Sequence, residues 1–131
     1  DARPCGMNGM FNTDIPSICL KGYYPFYMFN TLYKLENSVS ADSDDDDIYA
    51  VAARNGGNAS LMLTYFSDDE AQDKNVSVHI DGLTENSYLD YCLLDEKHDL
   101  CSIRKETAKE NTIEISDMKP NSVYLINIIL Q

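Results

Sequence analysis

This chain of 131 residues contains no tryptophan. Sugar-binding modules usually present exposed aromatic faces, so one common anchor for a pyranose ring is missing. Positive charge is also scarce, with 10 Lys and Arg against 22 Asp and Glu and a formal net charge of −12. Phosphate recognition needs clusters of Lys and Arg, which argues against nucleic acid as a partner. The same scarcity argues against an anionic membrane surface. No apolar run approaches the ~20 residues of a membrane-spanning helix. Two histidines and the absence of any C-x-x-C argue against a zinc site. No glycine-rich phosphate loop, G-x-S-x-G elbow or H-E-x-x-H sequence occurs. No signal peptide is recognisable, and the chain begins at Asp1. It reads as a fragment of something larger, with no active site of its own.

What is present describes an ordered globular protein. Hydrophobic residues make up 44% of the chain, with nine tyrosines among them. The length is that of one domain, enough to bury a core without metal or disulfide staples. An acidic surface suits solubility and neutral sugar or protein partners. The four cysteines are Cys5, Cys19, Cys92 and Cys101. They read either as free thiols or, in a secreted protein, as one or two disulfides, with Cys5–Cys19 the easier local closure. An extracellular or cell-surface setting is the favoured one.

Asp1 to Leu20 shows no sustained period and reads as an irregular loop. The next segment, Lys21 to Leu35, is aromatic-rich and helical in pattern. The helix begins near Tyr24, with Pro25 in the first turn, where a missing N–H costs little. At ~100° per residue, Tyr24, Leu35, Met28, Leu32, Phe29, Tyr33 and Phe26 sweep about half of the circumference. Asn30, Lys34 and Thr31, with Tyr27 among them, form the other side. An ordinary surface helix carries a narrower stripe, so this one is expected to sit between two bodies.

After Asn37 the period changes to two. Strands are expected at Asn37 to Ala41, Ile48 to Arg54, Ala59 to Phe66, Val76 to Ile80, Ser87 to Leu94, Cys101 to Lys105, Thr112 to Ile115 and Ser122 to Leu130. Asn55-Gly56-Gly57-Asn58 is a hairpin signal, because glycine supplies positive φ. Asp81-Gly82, Asp95 to Asp99 and Lys119-Pro120-Asn121 mark further turns. Short, regularly spaced strands without intervening helices imply an antiparallel sandwich rather than a parallel sheet. The closing strand is nearly all apolar, so both of its faces should be covered, one by the sandwich core and the other by the helix.

Few residues suggest chemistry. Asp42, Asp44 and Asp46, in the run Asp42-Ser43-Asp44-Asp45-Asp46-Asp47, could offer oxygens to calcium, a hard cation. The run departs from an EF-hand loop at Asp47 and Ala53, and its alternative is a solvated acidic loop. His79 on a polar strand face and His98 in a turn read as surface histidines, with no nucleophile and orienting carboxylate in a triad. Paired carboxylates for glycoside hydrolysis need a rigid cleft. Asp90 alone has an apolar sequence context, and it too fits an outward strand position. Tyr49, Tyr65, Phe66, Tyr88, Tyr91 and Tyr124 would be core or cross-strand residues, or else a stacking platform.

Asp1-Ala2-Arg3-Pro4, Asn8-Gly9-Met10-Phe11 and the Lys21 to Leu35 segment together resemble the end of a (β/α)8-barrel glycoside hydrolase. The likeness is to the last barrel strand-loop-helix region of xylosidase- and arabinofuranosidase-like enzymes of the large retaining clan. Ile48 to Gly56, Ala59 to Phe66, Tyr91 to His98 and Pro120 to Ile126 resemble the β-sandwich that follows such barrels. The resemblance implies catalytic glutamates on earlier barrel strands, which this chain does not contain. It would place Gly6 to Phe11 near the parent's cleft, although Met7 stands where similar enzymes often carry Trp.

These readings converge on an all-β fold, an antiparallel β-sandwich of about eight strands with one N-terminal amphipathic helix. Residues 1–36 would be the loop and helix of a barrel end, and residues 37–131 the sandwich. The expected function is that of a non-catalytic C-terminal accessory domain, whose partner is the catalytic (β/α)8 barrel of the same parent chain. The docking residues would be Phe26, Phe29 and Tyr33, or the opposite edge with Tyr24 and Met28. Phe29→Asp would then uncouple or misfold the chain. The alternative is a carbohydrate-binding module recognising polysaccharide through coplanar surface tyrosines. A third reading, an unrelated adhesion domain, expects the helix to be fully covered by the chain's own strands. No cofactor is expected apart from the calcium option.

Overall fold

The computed structural model describes residues 21–68 and 71–131. A 3-10 turn at Lys21–Tyr23 leads into α1 (Tyr24–Lys34), with proline in its first turn. The helix closes as Leu35 N–H donates to the Leu32 carbonyl at 3.1 Å. Glu36 then takes φ +71°. It is a non-glycine residue in the left-handed position that commonly ends a helix. No helix among the described residues is long and apolar enough to cross a membrane.

Eight strands follow: β1 (Asn37–Val39), β2 (Ile48–Asn55), β3 (Asn58–Tyr65), β4 (Lys74–His79), β5 (Tyr88–Leu94), β6 (Asp99–Thr107), β7 (Thr112–Met118) and β8 (Ser122–Ile129). Every strand expected from the pattern is present. β1 is shorter than the sequence suggested. It pairs only with Ala52–Arg54 of β2, and all three of its residues are exposed, so no packing extends it toward the acidic run. β6 is longer, an exposed edge strand held by seven pairings to β5 across two bulges.

The strands form a six-stranded sheet, β1-β2-β3-β8-β5-β6, and a two-stranded sheet, β4-β7, with antiparallel pairing throughout. Side chains alternate between faces along each strand. Leu61, Leu63 and Tyr65 of β3 and Ile126 and Ile128 of β8 join Ile113 and Ile115 of β7 in the main core. Val76 and Val78 of β4 pack against that core. Met62 of β3 and Leu125 of β8 lie in a second cluster with Met28 and Leu32 of α1. β8 is therefore covered on both faces, as its apolar sequence requires, and α1 covers the outer side of the large sheet. Each fully buried side chain of this size contributes roughly 1.5–3 kcal/mol of transfer free energy.

The Asn55-Gly56-Gly57-Asn58 signal is the β2–β3 hairpin, with Asn55 opposite Asn58. Gly56 carries the positive φ, at +59°. Gly57 has a different role: its carbonyl accepts Leu130 N–H at 2.7 Å, and a Cβ there would sit 3.3 Å from the Leu130 oxygen.

Candidate functional site

The helix carries two apolar lines about a third of a turn apart. Tyr24, Met28, Leu32 and Leu35 recur at three- and four-residue spacing and face the sheet. Met28 is completely buried and Leu32 nearly so, both against Ala53, Met62, Leu94 and Leu125. The second line is Phe26, Phe29 and Tyr33, which are 64%, 53% and 82% exposed, with Tyr27 exposed beside them. This corrects the expected docking set. Met28 cannot meet a second body, because this chain's own sheet already covers it, and Tyr24 packs partly against the same cluster. Phe26, Phe29 and Tyr33 remain available.

The exposed line continues onto the sheet. An open groove of 810 Å3 lies between Phe29 and Tyr33 on the helix and Val51 on β2. Tyr49, two residues before Val51, shares its face and is also exposed. Phe66 N–H donates to the Asp47 carbonyl at 2.9 Å and extends the β2–β3 ladder one step. That puts exposed Phe66 on the face of Thr64, the residue opposite Tyr49. The result is a surface of exposed aromatic and branched side chains running from α1 onto β2.

The acidic run is organised by a lysine. Lys74 Nζ lies 2.6 Å from Asp45 Oδ2 and 3.9 Å from Asp47. That hydrogen bond from Lys74, aided by Asp47 N–H, holds the Asp45 carboxyl below its usual range. Asp42, Asp44 and Asp46 do not converge as ligands. Among the described residues, no group of three or more His, Cys, Asp or Glu side chains is placed to hold a metal ion.

Each histidine faces an aspartate of its own turn: His79 lies 3.1 Å from Asp81 and His98 2.7 Å from Asp95. Burial raises the Asp95 carboxyl, but His98 and the N–H groups of Lys97 and His98 outweigh it and hold it low. Asp90 accepts a hydrogen bond from the Ser102 hydroxyl and stands beside Asn127 in the sheet. Of the cysteines, Cys92 is half-buried and Cys101 exposed, both as free thiols, and burial pushes the Cys92 thiol up. Cys5, Cys19 and the Gly6 to Phe11 loop lie outside the described residues.

The strand tyrosines separate. Tyr65 and Tyr91 are buried in the core and Tyr124 packs against it. Of the rest, Tyr49 pairs with Thr64 at one end of the ladder, whereas Tyr88 pairs with Ile129 at the other. They do not form one platform. Two features had no counterpart in the sequence reading. Arg104 lies over the Tyr91 ring, 3.9 Å from its centroid. A groove also runs along β4, floored by alanines of β2 and β3. The available signal was Ala50, Ala52 and Ala53 in a strand otherwise built of larger residues.

No family model and no curated protein matches this sequence. Solved structures do. The family 30 subfamily 8 xylanase of Clostridium acetobutylicum matches with a TM-score of 0.72 at 16% identity, over 93% of this chain and 31% of that one. A glucosidase from Croceicoccus marinus matches at 0.70 and 11% identity, over 94% and 33%. A family 30 endoxylanase from Clostridium papyrosolvens matches at 0.66 and 9% identity, over 86% and 28%. The chain thus shares its fold with about a third of each of these glycoside hydrolase chains.

Proposed function

We propose that this chain is the non-catalytic C-terminal accessory domain of a glycoside hydrolase, and that it packs against the catalytic barrel of its own parent chain. In this reading, residues 1–36 are the end of the barrel and 37–131 the sandwich. Phe26, Phe29 and Tyr33 are the docking side chains. The observation that carries the reading is the pair of apolar faces on α1, one filled by this domain's sheet and the other exposed. A helix that is apolar on both sides satisfies itself by being buried on both. Similarity to part of several glycosidase chains supports the same assignment.

The test is Tyr33→Asp, made both in the 131-residue chain and in the parent polypeptide that contains it. The isolated domain should keep its unfolding midpoint, because Tyr33 is 82% exposed. The parent should lose thermal stability and hydrolytic activity together. A parent unaffected by the change would reject the docking role.

A further inference from the structure

The outer face of the large sheet carries a row of polar side chains beside α1. Alternation puts Met62, Leu125 and Cys92 on this face, in the cluster that the helix covers. One step along the ladder, the same face presents Ser60 of β3, Asn127 of β8 and Asp90 of β5. They are direct cross-strand neighbours, Ser60 opposite Asn127 and Asn127 opposite Asp90. Neighbouring strands lie roughly 4.8 Å apart, so the three side chains stand side by side.

Two hydrogen bonds hold them. The Ser60 hydroxyl donates to Asn127 Oδ1 at 2.8 Å. The Ser102 hydroxyl donates to Asp90 Oδ1. Each bond uses one end of its acceptor. Among the described residues, Asn127 Nδ2 and Asp90 Oδ2 are left without a partner. A held donor therefore stands beside a held acceptor. An open cavity of 370 Å3 lies over them, lined also by Thr31 of α1 and by Tyr88 and Ile129. That volume is within the ~300–1,000 Å3 of small-molecule sites. Tyr88, two residues before Asp90, shares its face. It is 39% exposed and, with exposed Ile129, supplies an apolar wall.

We propose that this cavity binds one neutral pyranose, whose two adjacent hydroxyls bond to Asn127 Nδ2 and Asp90 Oδ2 while a C–H face rests on Tyr88. A donor beside an acceptor matches a pair of hydroxyls, because each hydroxyl both donates and accepts. The aromatic ring suits the apolar side of a sugar. A peptide strand is disfavoured, because β3, β8 and β5 are each paired on both sides and offer no free backbone edge. A hard cation is disfavoured by the single carboxylate in the lining, and an anion by its charge. The site does not rest on the docking reading. At ~100° per residue, Thr31 lies about 160° around α1 from both Phe29 and Tyr33, so a body seated on those rings leaves the cavity open.

The experiment is a two-dimensional amide NMR titration of the 131-residue chain with the methyl pyranosides of xylose, glucose and galactose. At least one should bind saturably at roughly millimolar concentration and shift the Asn127 side-chain amide with the backbone of Tyr88 and Asp90. Asn127→Asp keeps the acceptor for Ser60 and removes the donor. Asp90→Asn keeps the acceptor for Ser102 and turns the free oxygen into a donor. Each should weaken binding about tenfold or more with the fold intact, and Tyr88→Ala should do the same. No shift at these residues with any of the sugars overturns the proposal. Shifts centred on Phe29 and Tyr49 overturn it, as do equal shifts with glycerol. Contacts from residues 1–20 to Asn127 that keep sugars out would assign the cavity to this chain's own segment and overturn it. Binding that vanishes in the parent polypeptide would make the cavity a barrel contact and overturn it too. A parent that binds the sugar here but is indifferent to Tyr33→Asp would reject the docking role alone.

Discussion

Met28 and Phe29 are neighbours in sequence, about 100° apart around α1, and one is completely buried under the sheet while the other is 53% exposed. The exposure of Phe29 separates uncoupling from misfolding. Met28→Ala should destabilise the isolated chain by about 2–5 kcal/mol, the cost of a cavity in a packed core. Phe29→Asp should cost the isolated chain about 1 kcal/mol or less, as a surface change does. Urea unfolding of the two variants side by side checks both numbers. Equal losses would mean that Phe29 also supports the domain's own core.

The β1–β2 region gives a second test. Lys74 reaches across 29 residues to Asp45, and no metal cluster forms among the described residues. Calcium or a chelator should therefore leave the melting temperature unchanged. Lys74→Met should lower it only slightly, since ion pairs in contact with solvent contribute little. A rise in melting temperature with calcium, lost on Asp44→Asn, would restore the cation reading.

Much of this architecture was legible because strand periodicity is local. Val76-Ser77-Val78-His79 and Gly56-Gly57 announce themselves within a few residues. The closing strand, Ser122 to Ile129, declared two covered faces through its composition alone. Connectivity was hidden, because β8 inserts between β3 and β5 through packing of residues far apart in the chain. The side of α1 that meets the sheet was equally hidden. Met28 and Phe29 are both apolar, and only the positions of Ala53, Met62 and Leu125 decide which is buried. The aspartate run was misleading because a sequence count of carboxylates carries no information on where each one points.

The Asp95 turn predicts acid sensitivity with a definite sign. Its carboxylate accepts hydrogen bonds from Lys97 N–H, His98 N–H and the His98 ring at 2.7–2.8 Å. The Asp95 pKa lies below its ordinary value of 3.8 in the folded state. Its contribution is therefore complete above about pH 4 and is lost as pH falls through the folded value. Asp95→Ala should cost about 1–2 kcal/mol at pH 7, and the difference from the parent sequence should shrink toward pH 2. Lys21 bonds to the Asp95 and His98 carbonyls, so the same variant should loosen the start of α1. A stability difference independent of pH would show that the carboxylate charge is not what holds the turn.

Tyr91 sets the opposite, alkaline limit. Its ring is buried beneath Arg104, and its hydroxyl donates to Glu106 Oε1 at 2.7 Å. Burial first, and then the bond to Glu106, push its pKa up to about 12. A raised folded value means that this tyrosine's contribution is complete below about pH 10 and is lost as pH rises through 12. In an ultraviolet titration Tyr91 should ionise only as the fold opens. Tyr91→Phe should cost about 1 kcal/mol at pH 7. It should also flatten the fall in unfolding midpoint between pH 10 and 12. A midpoint that falls just as steeply in the variant would place the alkaline limit elsewhere, with Tyr124, whose hydroxyl is also raised by burial, the next to test.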